Sequence, residues 1–257
     1  TIERVGTTYS KPYFWDNGNL QLISFFGRLN YTFKERYLLT FTMRGDATSR
    51  FSKENRWGAF PSVALGWKII DESWAKSLKE VMNEWKLRLG WGVTGQQDVG
   101  GYFDYMAKYL ASQQQSNYPS IKDGEYTTTL YPQGYNRNLK WEETTTWNAG
   151  FDFGFLENKL TGNVDIYTQT TKDLLNPGFR IPSSSGYTSL NNHNGGSLRN
   201  QGWEFNINGN RIIQAGKFTV DFNVSFSNNR NRILSMDEAV LENLNEDYNY
   251  GNEQYLS

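Results

Sequence analysis

The sequence contains no cysteine and a single histidine. Without cysteine there is no disulfide framework, no thiol nucleophile and no cysteine metal centre. His193 stands in the run Asn191-Asn192-His193-Asn194-Gly195, which reads as a solvated loop. A metal site would have to be mostly carboxylate, and a Ser-His-Asp triad could form through this one residue only. Net charge is -1, and no basic patch interleaves with aromatics, which argues against a nucleic-acid partner. No apolar run approaches the roughly 20 residues of a transmembrane helix. That excludes helical spans alone, because a barrel strand needs about 9–11 residues with only alternate ones apolar. Gly100-Gly101 and Gly195-Gly196 are not followed by Lys-Ser/Thr and are not phosphate loops. The chain starts at Thr1 with no signal peptide and stops in a polar run, which reads as a piece of something longer.

Aromatics, by contrast, are abundant: 16% of residues, with nine Trp and sixteen Tyr. Such richness suits an all-β protein or a membrane-interface belt. The organising stretch is Thr144 to Tyr167. Trp147, Ala149, Phe151, Phe153 and Phe155 alternate with Asn148, Gly150, Asp152 and Gly154. After a break at 156–159, Leu160, Gly162, Val164 and Ile166 alternate with Thr161, Asn163 and Asp165. Period-two alternation places one set on each face of a strand, and the short break makes a hairpin. The same pattern predicts eight strands, at approximately 24–31, 37–45, 57–69, 85–93, 144–155, 159–168, 202–209 and 217–228. Between the third and fourth, Trp74, Ala75, Leu78, Val81 and Met82 fall on one helical face, which predicts a short amphipathic helix with Asp71 as its N-cap.

The connections alternate in length. Short ones at 32–36, 156–159 and 210–216 share one end with the helical segment, and long ones at 45–56, 94–142 and 169–201 share the other. An up-and-down antiparallel barrel of the outer-membrane type has this asymmetry, with short periplasmic turns and long external loops. Charge sorts by face. Arg28, Arg44, Lys68, Lys86, Arg88, Asp152, Lys159, Asp165, Glu204 and Asp221 all have the parity opposite to the large apolar residues. In a barrel Arg28, Arg44, Arg88, Asp152 and Glu204 would face the lumen, against a plug rather than along a substrate path. Aromatics sort by height. Trp57, Trp91, Trp147 and Trp203 fall at the long-loop end, and Tyr31, Tyr37, Trp67, Trp85, Phe155 and Phe218 at the short-turn end, with aliphatics between. Two rings around an aliphatic band match the girdles of a membrane barrel, with Trp57, Trp67, Trp85, Trp91, Trp147 and Trp203 as the tryptophan anchors against outer-membrane lipid. A sandwich core has no reason to sort aromatics by height.

Several runs also resemble one family. They are Phe26-Gly27-Arg28-Leu29-Asn30-Tyr31, Arg36-Tyr37-Leu38-Leu39, Arg50-Phe51, Arg56-Trp57-Gly58, Phe60-Pro61-Ser62, Lys86-Leu87-Arg88, Gly92-Val93-Thr94-Gly95-Gln96, Leu139-Lys140-Trp141-Glu142, Lys159-Leu160-Thr161-Gly162, Lys172-Asp173-Leu174-Leu175 and Asn200-Gln201-Gly202-Trp203-Glu204. In order and spacing they resemble the barrel of SusC/RagA-type TonB-dependent transporters of Bacteroidetes. Asp46-Ala47-Thr48 departs where the family often has Asp-Gly. The resemblance implies an internal section of a barrel of about 22 strands, without the plug domain and the barrel C-terminus. It implies import of oligosaccharides or peptides, with a SusD-like surface lipoprotein over the external loops. Energy would come from TonB-ExbB-ExbD through the plug region, and pairs of transporter and lipoprotein could associate as a dimer.

Chemistry is sparse. Glu142-Glu143 and Asp71-Glu72 are adjacent acids whose side chains diverge on a strand or helix, so they read as solvated charge rather than an acid/base pair. No cofactor is implied, although the acidic run Asp237-Glu238 and Glu246-Asp247 offers oxygen ligands of the kind Ca2+ takes. The substrate-binding candidates are the loop aromatics Tyr102, Tyr105, Tyr109, Tyr118, Tyr126, Tyr131 and Tyr135, whose faces can stack on sugar rings or peptide side chains. Three alternatives compete with the transporter: a soluble or surface-attached glycan-binding β-sandwich, a barrel enzyme needing a nucleophile and base on its rim, and a barrel component of another outer-membrane assembly.

Overall fold

The computed structural model describes residues 19–98, 101–111, 120–122, 125–127, 130–180, 184, 187 and 189–236. Eight long strands form one antiparallel sheet: β1 (Leu22–Phe33), β2 (Tyr37–Thr48), β3 (Trp57–Lys68), β4 (Met82–Gln96), β9 (Glu142–Phe155), β10 (Leu160–Lys172), β13 (Ser197–Ala215) and β14 (Phe218–Ser235). Each pairs with its neighbours in that order, a plain meander. Six short strands stand outside it as three ladders within the two longest connections: β5 (Lys108–Ala111) with β8 (Leu130–Gln133), β6 (Ser120–Lys122) with β7 (Glu125–Thr127), and β11 (Leu175–Arg180) with β12 (Ser189–Asn194).

The register carries one apolar face across the whole sheet. Directly opposite residues share a face, and the pairs run Tyr31–Leu39, Leu39–Leu65, Leu65–Leu89, Leu89–Ala149, Ala149–Ile166 and Ile166–Trp203. Among the described residues no second sheet covers this face: Leu65 is 48% exposed, Leu89 45% and Ile166 57%. A sandwich would bury these residues between two sheets, so the sandwich alternative does not hold. No described helix is long and apolar enough to cross a membrane.

The aromatics lie in bands along this register. At the long-loop end Trp91 pairs with Trp147, their rings 6.0 Å apart, and Phe25 stacks on Trp57 at 6.3 Å. At the other end Phe33, Tyr37 and Trp67 form a continuous row, and Trp85, Phe151, Phe153 and Phe155 form another.

Three details differ from the sequence reading. The segment between β3 and β4 is helical but of 3₁₀ type, at Ile69–Asp71 and Ser73–Glu80. Its N–H groups reach back three residues, as in Ala75 to Glu72 and Val81 to Leu78, a geometry that short connectors tolerate. Asp71 is not its N-cap. That position falls to Glu72, which makes no side-chain cap bond, while Asp71 pairs with Lys79 at 3.0 Å. Finally, β13 and β14 run well past the apolar band, through Ser197 and Ser235, and β13 continues to Ala215 through a bulge between Gly209 and Ile213.

The turns are tight. In the β1–β2 hairpin Lys34 and Glu35 take φ of +49° and +58°, with Arg36 N–H donating to the Phe33 carbonyl at 3.2 Å. Two consecutive left-handed residues match the right-handed twist of the flanking strands. Leu156, Glu157 and Asn158 are also left-handed, at +55°, +57° and +62°.

Candidate functional site

The long-loop end has its own small core. Phe51, Phe60, Leu139 and Trp141 are buried together, with Val93 and Leu175 packed against them. Trp141 meets Phe60 edge-on at 5.2 Å and Phe51 at 5.6 Å, and its indole N–H donates to the Arg56 carbonyl at 3.0 Å. Gly58 and Gly95 leave the space that the Phe60 ring fills: a Cβ at either would overlap it. Five of the runs that prompted the family resemblance thus meet at one point: Arg50-Phe51, Arg56-Trp57-Gly58, Phe60-Pro61-Ser62, Gly92 to Gln96 and Leu139 to Glu142.

Polar bonds tie the two longest connections to each other. Asn194 bonds both backbone groups of Lys140, accepting from its N–H at 2.9 Å and donating to its carbonyl at 2.9 Å. Lys140 also pairs with Asp173 at 2.8 Å. Buried Asp104 accepts from the Asn192 amide, and its carbonyl takes the Asn136 N–H at 2.9 Å. Glu142 accepts the Leu175 N–H at 2.9 Å, so it fastens a strand start rather than standing as solvated charge. Asp104 and Asn192 had no sequence signal: each is a lone polar residue in a polar stretch.

The tyrosine candidates separate. Tyr102 is half-buried with the Arg50 guanidinium 5.4 Å over its ring, and Arg50 in turn pairs with Asp98 at 2.6 Å. Tyr105 is half-buried. Tyr109 and Tyr135 are exposed, at 63% and 40%. Tyr126 lies in β7 opposite Ile121, and Tyr131 in β8 opposite Leu110. Tyr118 and the acidic run 237–247 lie outside the described residues. His193 is not in a loop: it sits in β12 opposite Asn176 and is half-buried. Among the described residues no three His, Cys, Asp or Glu side chains group as a metal site.

On the face opposite the tryptophans, Arg88 of β4 donates to both Asp152 oxygens at 2.9 Å and to Asp165 at 2.9 Å, joining three strands. Lys86 approaches Asp152 at 3.6 Å. Gly150 makes room, since a Cβ there would stand 2.7 Å from Arg88 Cζ. Arg28 donates to Thr42 at 3.2 Å, Arg44 to Asp46 at 2.7 Å, and Glu204 stands opposite Asp165 in the ladder.

At the short-turn end Glu72, read from sequence as solvated, is buried. It accepts from the Tyr37 hydroxyl at 2.6 Å, from Arg36 at 2.8 Å and from the Trp67 indole at 3.0 Å. These bonds, led by that from Tyr37, hold its carboxyl below the usual range although burial pushes it up. Adjacency to Asp71 in sequence hid these partners, which come from two other elements.

Residues 2–255 match the family model described as TonB dependent receptor-like, beta-barrel. The chain is 49% identical over 215 residues to the TonB-dependent receptor SusC of Bacteroides thetaiotaomicron, covering 84% of this chain and 21% of that protein. It is 35% identical over 219 residues to the TonB-dependent receptor P3 of Formosa agariphila, covering 85% and 21%. Among solved structures, the RagAB peptide importer in its open-open state superposes with a TM-score of 0.74 at 28% identity, over 85% of this chain and 22% of that one. The chain therefore spans about a fifth of the length of these relatives.

Proposed function

Because the chain belongs to the TonB-dependent receptor family of outer-membrane β-barrels, we propose that it is a wall section of an active importer of oligosaccharides or peptides. The barrel it contributes to would close with strands from the rest of the protein. TonB-ExbB-ExbD would drive it through a plug carried elsewhere in the same protein, and a SusD-like lipoprotein would lie over the folded loops at the long-loop end. The observation that carries the reading is the likeness to SusC, 49% identity over 84% of the chain.

In this reading Arg28, Arg44, Arg88, Asp152 and Glu204 line the lumen, where already-paired groups such as Arg88 present a fixed polar wall to the plug. Tyr109 and Tyr135, exposed on the loops, are the rings free to meet cargo or lid, whereas Tyr102 is committed to Arg50. No side chain is assigned a catalytic role; the work is binding and plug movement.

The test is purification of the whole transporter from native outer membranes in mild detergent, with mass spectrometry of what accompanies it. The expected result is a surface lipoprotein in stoichiometric amount and an oligosaccharide or peptide cargo. A barrel that comes alone, and whose deletion leaves uptake of both cargo classes unchanged, would overturn the importer and favour a component of another outer-membrane assembly.

A further inference from the structure

The apolar face carries an open groove of about 830 Å³, lined chiefly by its outward residues and running from Leu65 and Leu89 past Trp91 and Trp147 to Trp203. Its floor is low because the residue between Trp147 and Phe151 is Ala149, with Ile166 beside it. Its upper rim is Arg230. Strand parity puts two more guanidiniums on the same face above it: Arg230 stands opposite Gln201, two residues beyond Trp203 and Asn228, and Arg232 stands opposite Arg199, four residues beyond them.

Three like charges at neighbouring ladder positions repel one another. None of the three has an acidic partner among the described residues, although ten other ion pairs are formed. The acid that shares this end of the face, Glu143, stands opposite Lys172. An apolar slot ending in arginines that have no acidic partner among the described residues is complementary to a molecule with a hydrocarbon tail and an anionic head. Arginine forks suit phosphate oxygens in particular.

We propose that this groove and Arg199, Arg230 and Arg232 form a binding site for a phosphate-bearing lipid of the leaflet at the long-loop end. An acyl chain would lie over Ala149 between Trp147 and Trp203, and the phosphate would lie on the arginines. The site rests on the chain being barrel wall, and is independent of the cargo.

The experiment uses the full transporter, purified in detergent, delipidated and reloaded with phosphorylated lipid A, with dephosphorylated lipid A, or with inorganic phosphate, and read by native mass spectrometry. The expected result is retention of the phosphorylated lipid at least tenfold above the dephosphorylated form, and no competition by inorganic phosphate. Joint replacement Arg199→Ala, Arg230→Ala and Arg232→Ala should lower retention at least tenfold. Ala149→Phe, which fills the slot without changing charge, should lower it as well, in barrels whose heat-modifiable migration is unchanged. Equal retention of both lipid forms, or displacement by inorganic phosphate alone, would overturn the site. A failed lipid assay with an intact cargo and lipoprotein complex would leave the importer reading standing.

Discussion

The Phe60 ring occupies the space that a side chain at Gly95 would need, so neighbouring strands β3 and β4 interlock through a missing Cβ. Gly95→Ala should therefore push the ring out of the cluster with Phe51, Leu139 and Trp141. The cost should be about 1–3 kcal/mol, as for other overpacked cores. Phe60→Ala removes the ring itself and should cost about 3–5 kcal/mol. Both should open the same region, read as faster protease cleavage between residues 97 and 141 in the detergent-solubilised full-length protein. Wild-type cleavage in Gly95→Ala would mean that the ring has another place to go.

The two faces of β3 can be told apart by one charge. Leu65 and Ala64 are adjacent and both exposed, but they point to opposite faces. Arginine at Leu65, mid-band on the lipid side, should cost about 2–4 kcal/mol of barrel stability. Arginine at Ala64 should cost little, because that face is already charged. The measurement is the denaturant midpoint of the barrel in micelles or bilayers. Equal losses for the two variants would contradict the assignment of faces.

Legibility in sequence followed the solvent. Within the band, lipid on one side and polar surroundings on the other enforce strict alternation, and Trp147 to Phe155 or Phe218 to Phe226 reads as strand without ambiguity. Above the band the backbone ladder continues while the outward residue becomes Gln201, Arg199 or Arg230, so the alternation ends before the strand does. The loop ladders β5–β8, β6–β7 and β11–β12 are too short for a period to register. The loop-fastening residues Asp104, Asn192 and Asn194 act through partners some fifty or more positions away, which no local pattern can disclose. The cluster around Trp141 was visible as recurring motifs, but its role as a core emerges only when those motifs meet.

Arg88 binds two carboxylates on two neighbouring strands, so removing it leaves Asp165 without its cation and Asp152 with Lys86 alone, 3.6 Å away. Arg88→Met should cost about 1–3 kcal/mol, below the value for a fully buried pair because the side chain is 32% exposed. Adding Asp152→Asn and Asp165→Asn should recover part of that loss, since the remaining repulsion disappears. A variant cycle in unfolding free energy checks this. Additive losses would show that the three groups are not coupled.

Glu72 holds the helical connector against the β1–β2 turn and the end of β3, through Arg36, Tyr37 and Trp67. Its carboxyl is held below the usual range, so the carboxylate form is favoured by docking. The sign follows from linkage: the stabilisation is complete above the pKa of the undocked glutamate and is lost as pH falls through the lower, docked value. Acidification through and below the ordinary carboxylate range should therefore release the segment 69–81. Release can be read as cleavage there by an acid-active protease, with the long loops as internal reference. Glu72→Gln can still accept from Tyr37 and Trp67 but has no charge to lose, so its cleavage should start higher and change less with pH. If wild type and Glu72→Gln show the same slope, another group governs the connector.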